Sequence, residues 1–232
     1  MENENANNPP VTGYSPTPRV TLLEAALVMI VTFFLIVFLG GILYLINAPI
    51  ALVAGELLAL IVPLAFLLLK KIDVKSYIRG EFKPKFLFIG VGMGIVLLFI
   101  DFAVSGVLTA IFGPSQAVEE ANKIMTNISQ TPVGLIAVVA SSSLAGICEE
   151  FAFRGFLQST INRRYSFVPA LLVSAAVFGL FHFDPQLVYI ISAFAMGLFL
   201  GYIYHRWDSY VVSATAHATL DIIVLILLLL TL

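Results

Sequence analysis

Apolar residues in this chain fall in long blocks separated by short polar stretches. Seven blocks stand out: Leu22 to Ile46, Ile50 to Leu69, Phe86 to Phe112, Val133 to about Phe156, Phe167 to Phe183, Leu187 to Tyr204 and Tyr210 to Leu232. A bilayer core about 30 Å thick needs about 20 apolar residues per helix. The pattern therefore predicts an all-α, polytopic membrane bundle of about seven transmembrane helices. Ahead of it, residues 1–20 are polar, rich in Pro and Asn, and lack the basic start and cleavage site of a signal peptide. They predict a disordered cytoplasmic tail, with residues 21–232 forming a single membrane-embedded domain.

Composition agrees with this reading: 60% of residues are hydrophobic and 11% charged, against roughly 25% charged in soluble domains. Charge placement sets the expected orientation. Lys70, Lys71, Lys75, Arg79, Lys83 and Lys85 all lie between the second and third blocks, and basic loops stay in the cytoplasm. The N-terminus is then cytoplasmic, and Arg163, Arg164 and Arg206 fall on the same side, with Lys123 opposite beside Glu119 and Glu120. The expected location is the plasma membrane, and the lipid bilayer is the first partner. With a net charge of −2 and no basic patch interleaved with aromatics, no nucleic-acid partner is expected. The single cysteine, Cys148, excludes an internal disulfide and a cysteine metal cluster.

Proline and glycine add structural marks. Pro63 is expected to kink the second helix, Pro169 to sit in the first turn of the fifth, and Pro185 to end it. The pairs Gly90/Gly94 and Gly197/Gly201 have the spacing of close helix contacts.

An ionisable side chain at mid-membrane costs about 2.5 to 3.5 kcal/mol on insertion scales, so each one demands a reason. Here they cluster: Glu149, Glu150 and Arg154 end the fourth block, Phe178 and His182 end the fifth, and His217 and Asp221 share the seventh. At about 100° per residue Glu150 and Arg154 lie on one helix face while Glu149 points away. Glu150 is thus neutralised locally, and Glu149 is left for the histidines. His217 and Asp221, four apart, also share a face, so the carboxyl can orient the imidazole. Ser142, seven residues before Glu149, is placed to line a wet cavity.

Depth is an independent check. Glu149 lies 16 residues before Tyr165 and His182 lies 17 after it, so an antiparallel pair brings them level. His217 matches that level if the fourth and fifth helices project about 10 Å beyond the seventh, at 1.5 Å per residue.

These residues carry a resemblance. EEFAFR, FGLFH and HATLD resemble the EExxxR, FxxxH and HxxxN/D motifs of the CPBP family, which includes type II CAAX prenyl endopeptidases and bacteriocin-processing proteins. The resemblance spans about Val133 to the C-terminus. It implies an intramembrane endopeptidase in which Glu149 and His182 activate water, His217 and Asp221 sit at the oxyanion position, and Glu150, Arg154 and Phe178 support them. Asp221 departs from the asparagine of the prenyl endopeptidases, since an ionised carboxylate repels an oxyanion. Asp221 must then be protonated, orient His217 or bind a cation.

No cofactor is required by this reading, and a divalent metal such as zinc, held by Glu149, His182 and His217, stays open. The expected partner is a peptide or membrane-protein substrate, entering a polar cavity open to the cytoplasm. Two alternatives are a proton-coupled or ion transporter, because intramembrane carboxylates and histidines also build ion paths, and a non-catalytic scaffold with a peptidase-like fold. Glu56 and Asp101 are expected to serve packing or the cavity, Cys148 to pack, and His205 to sit at an interface.

Overall fold

The computed structural model describes residues 19–231; residues 1–18, where most of the expected tail falls, and residue 232 lie outside them. Val20 is buried in the apolar core with Phe153 and Phe156, so the polar tail expected over residues 1–20 does not extend to it.

Regular structure among the described residues is helical: α1 (Leu22–Ile46), α2 (Ala48–Leu69), a 3-10 turn (Val74–Tyr77), α3 (Pro84–Phe112), α4 (Gln116–Ser129), α5 (Pro132–Glu150), a π-helical stretch (Phe151–Gln158), α6 (Ser159–Asn162), α7 (Phe167–Phe181), α8 (Val188–Trp207) and α9 (Tyr210–Leu229). Helix starts coincide with side chains able to satisfy the first free N–H groups. Thr21 and Glu24 form a reciprocal capping box on α1, and Asn47, Ser115, Thr131 and Ser209 cap α2, α4, α5 and α9.

Among the described residues six helices are long and apolar enough to cross a membrane: α1, α2, α3, the continuous rod Pro132–Asn162, α8 and α9. The seventh expected span, α7, has 15 residues, a rise of only about 22 Å. It stops at Phe181 because Pro185 forbids continuation and His182 already leaves helical geometry (φ −91°, ψ 55°). The rod through α5, the π stretch and α6 runs six residues past the expected end at Phe156. Pro63 lies inside α2 without ending it.

Close helix contacts set the packing. A Cβ on Gly94 would lie 2.6 Å from the Ala216 carbonyl of α9, and one on Gly197 would lie 3.0 Å from Ala175 of α7. Gly146, which the spacing argument did not single out, brings α5 equally close to α9: a Cβ placed there would collide with the Ala214 carbonyl. This contact carries Glu149 and Glu150 toward His217.

The bundle has two unlike ends. At one end lie the starts of α1, α3 and α9, with Arg79 paired to Asp208 at 3.3 Å and Arg163 donating to the Ser76 carbonyl. Every lysine and arginine among the described residues belongs to this basic end except Arg154 and Lys123. At the other end α3 and α9 finish and α4 packs on α5 and α9. Helix α4 was not among the expected elements. Its apolar residues recur three to four apart among polar ones (Val118, Ala121, Met125, Ile128), a surface-helix pattern that a search for continuous apolar runs passes over.

Candidate active site

After Glu150 the backbone loosens from α to π geometry, a rare form often found at functional sites. The Ser159 hydroxyl donates to the Arg154 carbonyl five residues back, at 3.1 Å. The expected pair survives this change: Arg154 Nη1 donates to Glu150 Oε1 at 2.7 Å, with both side chains fully buried. Arg154 Nη2 donates to the Gly197 carbonyl at 3.1 Å, and the guanidinium lies over the Phe178 ring, 4.5 Å from its centroid. Phe178 also touches both histidines, with centroids 4.7 Å from His182 and 5.8 Å from His217. It is the spacer between them.

Antiparallel pairing of the rod with α7 follows the expected levels. Ser174 donates to the Phe153 carbonyl at 2.8 Å, and Phe153 meets Phe178 and Phe181 edge-on at 5.0 Å each. Extrapolated along both helices, this puts Glu149 beside the end of α7. His182, at that end, donates from Nδ1 to the Phe178 carbonyl at 2.9 Å in the tautomer that makes this bond. Its Nε2 then carries the free lone pair. The Tyr189 ring stands against it at 5.0 Å and 88°.

His217 has a partner on α5 that the spacing along α9 did not suggest. Its Nδ1 is 3.1 Å from Glu150 Oε1, which can only accept. Glu150 therefore binds both Arg154 and His217, and it fixes the imidazole. Asp221, expected to orient this ring, instead faces the other nitrogen: Oδ2 is 3.5 Å from Nε2, with Glu149 Oε2 at 3.9 Å. The i,i+4 spacing correctly joined Asp221 to His217, but the neighbour on α5 could not be read from α9 alone.

Glu149 Oε2 is buried and has no hydrogen-bond partner in the protein. It lines a cavity of about 460 Å³ together with His182, His217, Asp221, Phe178 and Ser142. Glu56 and Asp101 join the same wall. Ser141 donates to Glu56 at 3.3 Å, and Ser105 and Ser192 donate to Asp101 at 3.4 and 3.3 Å. Their isolation in apolar spans was the only signal in the sequence that they face the site, and Tyr189 gave none. Cys148 is buried, and His205 stacks on Phe167 at 3.8 Å.

The cavity's direction sets two expectations against each other. Its lining is buried near His217, Phe178 and Leu200 and becomes exposed at Pro114, Glu119 and Ala121. It thus opens under α4, at the end opposite the basic loops. Toward the basic end it stops on a layer of buried Glu150, Phe153, Arg154, Phe156, Gln158 and Tyr204. A cytoplasmic mouth and cytoplasmic basic loops cannot both hold.

The mouth is held by the turn after His182. Asp184 accepts from the Ser115 hydroxyl at 3.0 Å and from the backbone of Gln186 and Tyr189 at 2.9 and 2.8 Å. Burial pushes this carboxyl upward, but those hydrogen bonds outweigh it and hold it below the ordinary aspartate value.

Glu149, His182 and His217, the set considered for zinc, share the cavity, yet among the described residues no three His, Cys, Asp or Glu side chains converge as a metal-binding group. The donor geometry among the described residues does not fit a zinc site.

Residues 131–223 match the family described as Type II CAAX prenyl endopeptidase Rce1-like. Over 117 residues the chain is 27% identical to a protein of Bacillus subtilis (strain 168) named "Putative membrane peptidase YdiL", covering 50% of this chain and 46% of that protein. The chain thus spans about half the length of that relative. No solved structure matches it. The matched region includes every motif residue from Glu149 to Asp221, so the similarity to membrane peptidases falls on the residues that surround the cavity.

Proposed function

We propose that this chain is an intramembrane endopeptidase that hydrolyses a peptide bond using Glu149 and His182. The observation that carries the reading is the contrast between two adjacent carboxylates. Each keeps one oxygen without a hydrogen-bond partner in the protein, but Glu150 is fully buried, held through its other oxygen by Arg154 and His217 and absent from the cavity wall, whereas Glu149 lines the cavity, where a water can reach it. A base must have a lone pair free for the proton it removes.

In this mechanism a water sits between Glu149 and Nε2 of His182. Glu149 takes one proton as the water oxygen bonds to the peptide carbonyl carbon. The resulting tetrahedral oxyanion lies toward Nε2 of His217, which donates to it. The C–N bond then breaks and the proton held by Glu149 passes to the leaving amine, giving a carboxylic acid and an amine. Glu150 keeps His217 aimed by holding Nδ1. Asp221, on the Nε2 side, competes with the oxyanion for that hydrogen and also favours the charged ring, the form in which Nε2 donates while Nδ1 donates to Glu150. The ion-transport alternative needs a path past the buried layer around Arg154, and the cavity ends on that layer.

Orientation belongs to the same proposal: the basic end and the N-terminus face the cytoplasm, because basic loops are retained there. The test is purified full-length chain in detergent with a library of plain and lipidated peptides, compared with Glu149→Gln. Cleavage that disappears in the variant is expected; equal cleavage by both rejects the assignment. Chelation and zinc re-addition in the same assay measure metal dependence directly.

A further inference from the structure

The two ends of the bundle carry a consequence for the substrate. The cavity holding Glu149, His182 and His217 opens beneath α4, and the lysines and arginines gather at the opposite end. Between that end and the cavity stand Arg154, Phe156 and Tyr204, all fully buried. No side chain of the loop from Lys70 to Lys85 lines the cavity.

We propose that the substrate is a polypeptide segment presented on the non-cytoplasmic face of the membrane, such as an exported peptide, and that it enters beneath α4. Three observations support this. Basic loops are retained on the cytoplasmic side, and this bundle concentrates them at one end. The cavity lining becomes exposed at Pro114, Glu119 and Ala121, at the other end. Helix α4, too polar to span and packed on α5 and α9, roofs that opening. A cytoplasmic peptide would have to displace Arg154 from Glu150 and the Gly197 carbonyl to reach Glu149.

The assignment of a peptide rests on the peptidase reading; the assignment of a side does not. Two measurements separate them. First, cells expressing the full chain with Asn122→Cys, at the mouth, or Lys85→Cys, at the basic end, are treated with a maleimide that cannot cross membranes. The native chain, whose Cys148 is buried, is the control. Asn122→Cys is expected to label in intact cells and Lys85→Cys only after permeabilisation. Labelling of Lys85→Cys in intact cells, or of Asn122→Cys only after permeabilisation, overturns the side.

Second, a membrane-impermeant quenched-fluorescence peptide library is added to intact cells and to inverted vesicles, with Glu149→Gln in parallel. Glu149-dependent cleavage confined to intact cells is expected. Cleavage confined to inverted vesicles overturns the side and leaves the peptidase reading standing. Absence of Glu149-dependent cleavage in cells, vesicles and detergent overturns the peptidase reading and the peptide assignment with it, while the labelling still decides which face the cavity opens to.

Discussion

Below the cavity, toward the basic end, polar groups are buried and bonded. Glu150 and Arg154 pair along one rod, Arg154 and Gln158 donate to carbonyls of α8, and Ser159 meets the Tyr204 hydroxyl, all nearly inaccessible although Glu150, Arg154 and Gln158 each keep one further polar atom without a partner. Around the cavity, Glu56, Asp101, Glu149 and Asp221 are only partly buried, and their protein partners are serine hydroxyls, one histidine, or none. The same residue types therefore do different work a helical turn apart. A charge paired and sealed off from the cavity holds helices together, while a charge in the cavity wall is available to a substrate. Position 149 and position 150 are the boundary between the two regions.

The sharpest way to break this comparison is Glu149→Gln, which keeps the shape and removes the base. Turnover should fall about 10²- to 10⁴-fold, the range of general-base contributions, with the thermal unfolding midpoint in detergent little changed. A large drop in stability with Glu149→Gln would show that the cavity carboxylate was structural after all.

Arg154→Met should show the opposite profile. It leaves Glu150 buried without its cation, and breaking a buried pair from one side costs about 3 to 5 kcal/mol. Far-ultraviolet circular dichroism during heating should register early unfolding, and the yield of folded protein should drop. Wild-type stability in this variant would remove the packed region's claim to a distinct role.

Asp221→Asn separates two effects on His217. Because Glu150 already holds Nδ1, the asparagine should not disorient the ring; it should weaken only the electrostatic support at Nε2. A loss of about 10-fold in kcat is expected, the low end of the range for losing a residue that supports a reacting group, with KM little changed. A loss near 100-fold would mean that Asp221, rather than Glu150, controls the ring.

Much of this arrangement was legible in the chain. Long apolar blocks located the spans, and four-residue spacing paired Glu150 with Arg154 and Asp221 with His217, because both signals are local to one helix. What the sequence could not convey was contact between helices: that Glu150 reaches His217, that Gly146 permits the approach, and that Glu56 and Asp101 face Glu149's cavity. The end of the bundle at which the cavity opens was not legible for a related reason. It depends on which end of the bundle is filled by aromatic side chains such as Phe153, Phe156 and Tyr204, a property of packing rather than of any one segment. Helix α4 escaped because its apolar residues are interleaved with polar ones.

The smallest effect tests the rim of the hollow region. Asp184 joins the turn after His182 to the start of α4 through Ser115, and its charge strengthens each bond it accepts. Asp184→Asn keeps one acceptor oxygen but loses the charge, and about 1 kcal/mol of local stability is the expected cost. Since hydrogen bonds hold the folded carboxyl below its ordinary value despite burial, its contribution is complete above an unfolded pKa of about 3.9 and is lost as pH falls through the lower folded value. Limited proteolysis near α4 should therefore accelerate modestly in Asp184→Asn at neutral pH, and in the native chain only once the pH drops below about 4. Glu149-dependent cleavage should change by no more than a few-fold, because Asp184 touches neither histidine ring. If Asp184→Asn instead abolished turnover while leaving α4 as protease-resistant as before, the rim and the reaction centre would be one unit, and the division between a supporting rim and a reacting centre would have to be redrawn.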